Sequence, residues 1–167
     1  GRWRRGQPCP SDLREAIECG AVITAHKAAF ERKAFKCLHE RHGWPKPELE
    51  QFRCTQATAA AMALPQSLEA LGDVLQLTTQ KSKEGTALIN FFSKPKRDGT
   101  FNEPEDFPEK FDQFHDYCDQ DVETEAAADK KMVSLPDFEQ RFYSLQEKIN
   151  DRGIRVDIRS LHAAIAL

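Results

Sequence analysis

The residues best suited to chemistry lie in the stretch Tyr117–Glu123, inside the longest predicted helix. Tyr117 and Asp121 are four residues apart, so on a helix they share one face, one turn from each other. A carboxylate so placed can hold a divalent metal ion, and a phenol beside it can orient the water that the metal activates. The same spacing is typical of a solvated acidic helix with one buried tyrosine, so the motif needs support from the rest of the chain.

Acidic and basic residues fall into separate stretches, although the net charge of the chain is only −3. An enzyme that cleaves a phosphodiester with metal ions needs both features, because acids hold the cations and a separate basic surface holds the strand. Any single run, taken alone, is more typical of a solvated helix face. The acidic stretch comprises Asp112, Asp116, Asp119, Asp121, Glu123, Glu125 and Asp129; the basic ones comprise Arg2, Arg4 and Arg5, then Arg32, Lys33, Lys36, His39, Arg41, His42 and Lys46, then Lys81, Lys83, Lys94, Lys96 and Arg97.

Length and composition indicate an ordinary globular protein. With 167 residues the chain suits one domain, or one domain and the start of another. No apolar run has the length of a membrane span or the form of a signal peptide. The five cysteines are odd in number and widely spread, which indicates a reducing compartment rather than a disulfide framework. Cys37, His39 and His42 have no second cysteine pair at ligand spacing, so a zinc site is not expected.

Hydrophobic periodicity predicts a mostly helical chain with two or three short strands. The strands are expected at Ala21–Thr24, at Phe52–Thr55 and at Ile154–Asp157, and an exposed loop at Lys94–Pro108. Ser67 is a predicted helix cap, and Asp157 is expected to cap a last helix. That last helix has no stop signal, which predicts a truncated polypeptide. The other helices are expected at about residues 13–18, 28–41, 56–63, 68–77, 88–92, 109–132 and 138–149.

Three segments, taken in order, resemble the 3′–5′ exonucleases of the four-acid (DEDD) superfamily. Residues 23–32, Ile-Thr-Ala-His-Lys-Ala-Ala-Phe-Glu-Arg, resemble the second motif in the form found in phage-type family A DNA polymerases. Residues 117–123 resemble the third motif, Tyr-x-x-x-Asp. Residues 149–157 resemble the junction between the proofreading and polymerase domains. The resemblance extends from about Trp3 to the C-terminus.

The resemblance implies an incomplete RNase H-like α/β domain. Residues 1–134 would be a partial 3′–5′ exonuclease domain without its first strands and first motif, and residues 135–167 the start of a polymerase domain. The implied reaction is hydrolysis of the terminal phosphodiester of a DNA strand with two Mg²⁺ or Mn²⁺ ions. The implied partners are a single-stranded DNA 3′ end and the rest of the polymerase chain. The resemblance implies no membrane partner, and the expected location is the cytoplasm of a bacterial or phage-infected cell.

The same resemblance assigns catalytic roles to three residues. Asp121 would be a direct metal ligand, Tyr117 would orient the nucleophilic water, and Glu31 would serve the second ion, through water. The first motif, Asp-x-Glu on an apolar strand, does not occur before Glu31, so the sequence carries two of the four expected acids. We therefore expect little or no nuclease activity from this chain alone.

Three further residues are implied on the substrate side of the site. His26 and Lys27 would contact the strand, and Phe30 would pack beneath the site. Lys27 stands where the family usually has asparagine, a neutral side chain that both donates and accepts hydrogen bonds. A lysine there is suited to contacting a phosphate or to competing with the second metal ion, and the sequence leaves both alternatives open.

Two other functions are compatible with these motifs. An RNA-processing exonuclease of the same superfamily shares the Tyr-x-x-x-Asp motif, but only the polymerase interpretation expects the segment 149–157. A non-catalytic DNA-binding or structural relic is the other alternative, and the missing acids together with Lys27 favour it for this chain in isolation.

Overall fold

The computed structural model of the protein describes residues 2–4, 6–77 and 85–165. The chain forms two compact units, Gly1–Leu135 and Pro136–Leu167, which divide beside the expected boundary at residues 134 and 135. The assignment of the first unit to an exonuclease domain and of the second to a polymerase domain remains a prediction. The predicted basic residues Arg5, Lys81 and Lys83 lie outside the described residues. In the described part of the chain, no helix combines the length and apolar content that a membrane crossing requires.

The first unit begins with a helix and a small parallel sheet. Helix α1 is Ser11–Glu18, strand β1 is Ile23–Ala25, and helix α2, Ala29–His42, connects β1 to strand β2, Phe52–Cys54. The strands pair in parallel with Ile23 opposite Phe52. A helical crossover between parallel strands is the expected connection. The mostly helical chain with few strands agrees with the α/β expectation, and β1 lies slightly later than predicted; the RNase H-like fold stays a prediction.

Four helices complete the first unit. They are α3 (Thr55–Ala61), α4 (Leu68–Val74), α5 (Gly85–Ser93) and α6 (Pro108–Lys131), and α3, α4 and α5 each pack against α6. The segment between α5 and α6 is mostly exposed and irregular, apart from a single 3₁₀ turn at Pro104–Asp106, which confirms the predicted loop. Helix α6 is thus the shared packing partner of α3, α4 and α5.

The apolar core of the first unit lies between α3, α4 and α6. Its buried members are Ala59, Leu71, Leu77, Ala128 and Met132. The predicted cap at the start of α4 is confirmed, because the Ser67 hydroxyl accepts the backbone N–H of Ala70 at 3.2 Å.

A buried tyrosine marks the contact between α5 and α6. Tyr117 is 5% exposed, and its ring lies against Gly85 at the start of α5. The ring of Phe114 stacks on that of Tyr117 with a centroid distance of 6.4 Å, and on that of Phe92 at 5.7 Å. Because these rings are held on both sides, Tyr117 has little freedom to move on its helix.

The second unit consists of α7 (Asp137–Arg152) and α8 (Ile158–Ile165). The predicted cap of α8 is confirmed: Asp157 Oδ1 accepts the backbone N–H groups of Arg159 at 3.0 Å and of Ser160 at 3.3 Å. The predicted strand at residues 154–157 is wrong, since these residues pair with no other described strand. Helix α7 forms as predicted, but its apolar positions are exposed: Phe138 65%, Phe142 54%, Leu145 52% and Ile149 48%.

Two buried helical glycines give a matched test of the contact between α5 and α6. A Cβ at Gly85 would overlap the ring of Tyr117, whereas a Cβ at Gly72 would lie 3.9 Å from the nearest atom, Cδ1 of Leu77. We expect Gly85→Ala to lower the free energy of unfolding by about 1–3 kcal/mol or more. Gly72→Ala should raise it by up to about 1 kcal/mol, because alanine is the better helix former. Urea unfolding measures both, and equal effects would contradict the close approach of Gly85 to Tyr117.

Candidate functional site

Acidic residues from α2 and α6 gather around one carboxyl group, that of Glu125. Glu31 lies in the first turn of α2, while Asp121, Glu125 and Asp129 follow one another at one-turn intervals on α6. Burial is the main cause that raises the pKa of Glu125 to about 7, and the charges of Glu31, Asp129 and Asp121 raise it further. Glu31 and Asp121, from two separate elements, are thus both within electrostatic reach of Glu125.

Glu125 also joins α6 to the turn between β1 and α2. The backbone N–H of His26 donates a hydrogen bond to its carboxylate, which opposes part of the rise in pKa. Glu125 was not among the candidate site residues predicted from the sequence. The available signal was its position one turn after Asp121 on the same helical face, but the spacing alone does not distinguish it from the other acids of α6.

Glu31 and Asp121 each carry a buried oxygen atom that the described residues leave without a hydrogen-bond donor. These atoms are Glu31 Oε2 and Asp121 Oδ1. Burial raises the pKa of Glu31, and its own backbone N–H partly offsets this by donating to the carboxylate. Buried carboxylate oxygens normally have partners, so both atoms are suited to a cation or a water molecule. No cluster of three or more metal-ligating side chains occurs within the described ranges, so these residues do not form a complete metal site there. We call Glu31 and Asp121 the carboxylate pair, because both act on Glu125.

The His26 ring is fixed on both sides by protein groups. Its Nε2 lies 2.9 Å from the Gln66 carbonyl oxygen, and its Nδ1 lies 3.0 Å from the Thr55 hydroxyl. A carbonyl can only accept, so Nε2 carries the proton, and in the neutral ring Nδ1 accepts from the hydroxyl. These bonds hold the turn that leads into α2, which suits His26 to positioning that turn.

The two other predicted substrate residues are on the surface. Lys27 is exposed and has a φ of 68°, in the left-handed region that asparagine and glycine tolerate better than lysine does. Phe30 is 68% exposed, so the expectation that it packs beneath the site is wrong. Successive helical residues point about 100° apart, so a helix that turns Glu31 inward turns Phe30 away.

Part of the acidic stretch is paired with the N-terminal arm, which is the segment before α1 (residues 2–4 and 6–10 of the described chain). Arg2 Nη2 lies 2.6 Å from Asp116 Oδ1 and 2.8 Å from Asp119 Oδ2, and Arg4 Nη2 lies 3.8 Å from Asp112 Oδ1. Asp112, Asp116 and Asp119 are therefore ion-paired with arginines near the N-terminus of the chain. The two acids of α6 that act on Glu125, Asp121 and Asp129, are not part of these pairs.

Comparison with known proteins gives one relative. The chain is 36% identical, over an alignment of 171 residues that covers 97% of its length, to a DNA polymerase of Bacillus phage SP02. It spans 26% of the length of that polymerase. No protein-family model matches the chain, and no solved structure matches it. The similarity supports the assignment of the sequence to a region of a DNA polymerase.

The raised pKa of Glu125 predicts a pH-dependent stability. Between the unfolded pKa of about 4.3 and the folded value of about 7, the folded state keeps a proton that the unfolded state releases. The stability that protonated Glu125 contributes to the folded state is fully present below the unfolded pKa and is lost as pH rises to about 7. We expect wild type to lose about 1–2 kcal/mol relative to Glu125→Gln between pH 4 and pH 8, after allowance for partial exposure. Urea unfolding measures this; Glu123→Gln, exposed on the same helix, should follow the wild-type profile. If the difference in free energy of unfolding between wild type and Glu125→Gln stayed constant from pH 4 to pH 8, the raised pKa of Glu125 would be refuted.

The backbone of Lys27 predicts a second stability difference. Both Lys27→Gly and Lys27→Ala remove the same charge, but only glycine adopts a φ of 68° without strain. We expect the glycine variant to be more stable than the alanine variant by about 1 kcal/mol. Thermal unfolding of the two variants at one pH tests this, and an alanine variant of equal or greater stability would rule out the left-handed conformation.

Proposed function

We propose that this chain is the 3′–5′ exonuclease region of a phage-type DNA polymerase. The observation that carries the proposal is the pair of buried carboxylate oxygens, Glu31 Oε2 and Asp121 Oδ1, on two elements that both approach Glu125. The similarity to a phage DNA polymerase over nearly the whole chain supports it and favours DNA over RNA processing. The proposed partners are a single-stranded DNA 3′ end and the remainder of the polymerase.

The proposed reaction is hydrolysis of the terminal phosphodiester. Mg²⁺ or Mn²⁺ held there would activate a water and stabilise the charge that develops on the phosphate. Asp121, through its buried oxygen, would hold one ion, and Glu31, at the start of α2, would serve the second ion through water. Tyr117 lies one turn before Asp121 and orients the attacking water with its hydroxyl.

Other residues position these groups. The hydrogen bond from the His26 backbone to Glu125 keeps the start of α2 close to α6, and the His26 ring keeps the same turn against Thr55. The exposed cations Lys33 and Arg41 on α2 provide a surface for the phosphates of the strand. Lys27 lies exposed in the turn between His26 and α2, where its ammonium group meets the strand as a point charge.

Two carboxylates give the site a low intrinsic affinity for metal. Mg²⁺ bound to so few protein oxygens keeps several waters and depends on substrate phosphates. We therefore expect metal binding to strengthen when a short DNA strand is present, and cleavage by this chain alone to be slow.

A calorimetric titration with Mn²⁺, in the presence of a short single-stranded DNA, tests the proposed site. Glu31→Gln and Asp121→Asn should each weaken Mn²⁺ binding by about tenfold or more, because each removes a ligand charge. Glu123→Gln is the matched control, since it removes one charge from the exposed side of α6. An equal loss of Mn²⁺ affinity in all three variants would mean that net charge alone causes the effect. Unchanged Mn²⁺ affinity in Glu31→Gln and Asp121→Asn would exclude the proposed metal site.

A further inference from the structure

A groove of about 670 Å³ lies within the first unit, away from the carboxylate pair. Its walls come from the N-terminal arm, α5, the loop before α6 and α6 itself. The lining residues that could contact a ligand include Arg4, Phe101, Glu103, Glu105 and Phe111. This volume and this mixture of aromatic and polar groups are typical of small-ligand sites.

Two lining residues of the groove, Trp3 and Asn102, are held in place by other protein groups. The Trp3 indole N–H donates to the Gln7 carbonyl at 2.8 Å, and its ring makes edge contacts with His42 and Trp44, each with a centroid distance of 5.3 Å. The Asn102 amide donates to the Phe91 carbonyl at 2.8 Å. Phe101, in contrast, is 46% exposed and offers a ring face to a ligand.

The charges of the groove select the type of ligand. Glu103 and Glu105 are exposed carboxylates that accept hydrogen bonds from amino groups and repel phosphate. Arg4 is the one cation of the lining residues; its guanidinium lies 5.8 Å from the centre of the Phe111 ring and stays 61% exposed beside Asp112. An aromatic ring with an exocyclic amino group fits the interior, and a phosphate attached to it fits outside, beside Arg4.

The groove and the carboxylate pair share α6. Phe111 in the groove and Asp121 in the pair are ten residues apart on this helix, or about 15 Å along its axis. At the stacked spacing of about 3.4 Å per nucleotide, this distance corresponds to about four nucleotides. A strand whose 3′ end lies at Asp121 therefore has the length to place a nearby base in the groove.

We propose that the groove binds one nucleobase of a single-stranded DNA, a few nucleotides from its 3′ end, and favours bases with an amino group, such as cytosine, over thymine. The proposal rests on the proposed function, because it takes DNA as the ligand. The base stacks on Phe101, its amino group donates to Glu103 or Glu105, and its phosphate faces Arg4.

Binding of labelled octamers of deoxycytidine and of thymidine, measured by fluorescence anisotropy with EDTA present, tests this site without catalysis. Phe101→Ala should weaken binding of the cytosine octamer by about 5- to 100-fold, the usual range for loss of one stacking partner. Phe101→Leu, which keeps an apolar side chain without a flat face, should show a similar loss. Phe138→Ala, also an exposed phenylalanine but in the second unit, is the matched control and should bind as wild type does.

The base preference gives an independent result. Wild type should bind the cytosine octamer several-fold more tightly than the thymine octamer, and the double variant Glu103→Gln, Glu105→Gln should narrow that difference. Equal binding by Phe101→Ala and Phe138→Ala, or equal affinity for the two octamers, would overturn the proposal. A different outcome separates the two proposals. If octamer binding depends on Phe101 but Asp121→Asn does not weaken Mn²⁺ binding, the nuclease proposal is refuted and the base-binding groove is retained.

Discussion

The repulsion among carboxylates brought together from α2 and α6 is the constraint on which the rest of the first unit depends. Burial and three acidic neighbours raise the pKa of Glu125 to about 7, and burial also raises the pKa of Glu31. Like charges in a partly buried space oppose folding unless a proton or a cation is bound between them. A fold that nevertheless places Glu31 beside α6 therefore holds that arrangement by other contacts. The backbone N–H of His26 is one of them.

Helix α6 supplies most of the remaining contacts. The helices α3, α4 and α5 all pack against it, and the close approach of Gly85 fixes the ring of Tyr117 one turn before Asp121. Asp116 and Asp119, on the same helix, both pair with Arg2. One helix thus carries three separate environments: acids paired with the N-terminal arm, acids near Glu125, and an aromatic ring at Phe111 that lines the groove. Sequence spacing along α6 sets the distances among them.

The sequence predicted features that depend on local chemistry and missed those that depend on distant partners. The caps at Ser67 and Asp157 and the helix at 137–152 follow from hydroxyl or carboxylate groups and apolar spacing within a few residues. The pairing of Arg2 with Asp119 joins residues 117 positions apart, which no local pattern indicates. Glu125 was missed because burial, not spacing, distinguishes it from Glu123. The strand expected at 154–157 failed because β-branched residues form a strand only beside a partner strand.

The central claim is that Glu31 and Asp121 lie in one space around Glu125. The most direct measurement is a pH titration of the Glu125 side-chain carboxyl carbon by ¹³C NMR in wild type, Glu31→Gln and Asp121→Asn. The structure predicts a midpoint at about pH 7 in wild type and a lower pKa in each variant, because each removes a neighbouring negative charge. A Glu125 pKa that either variant leaves unchanged would contradict the claim.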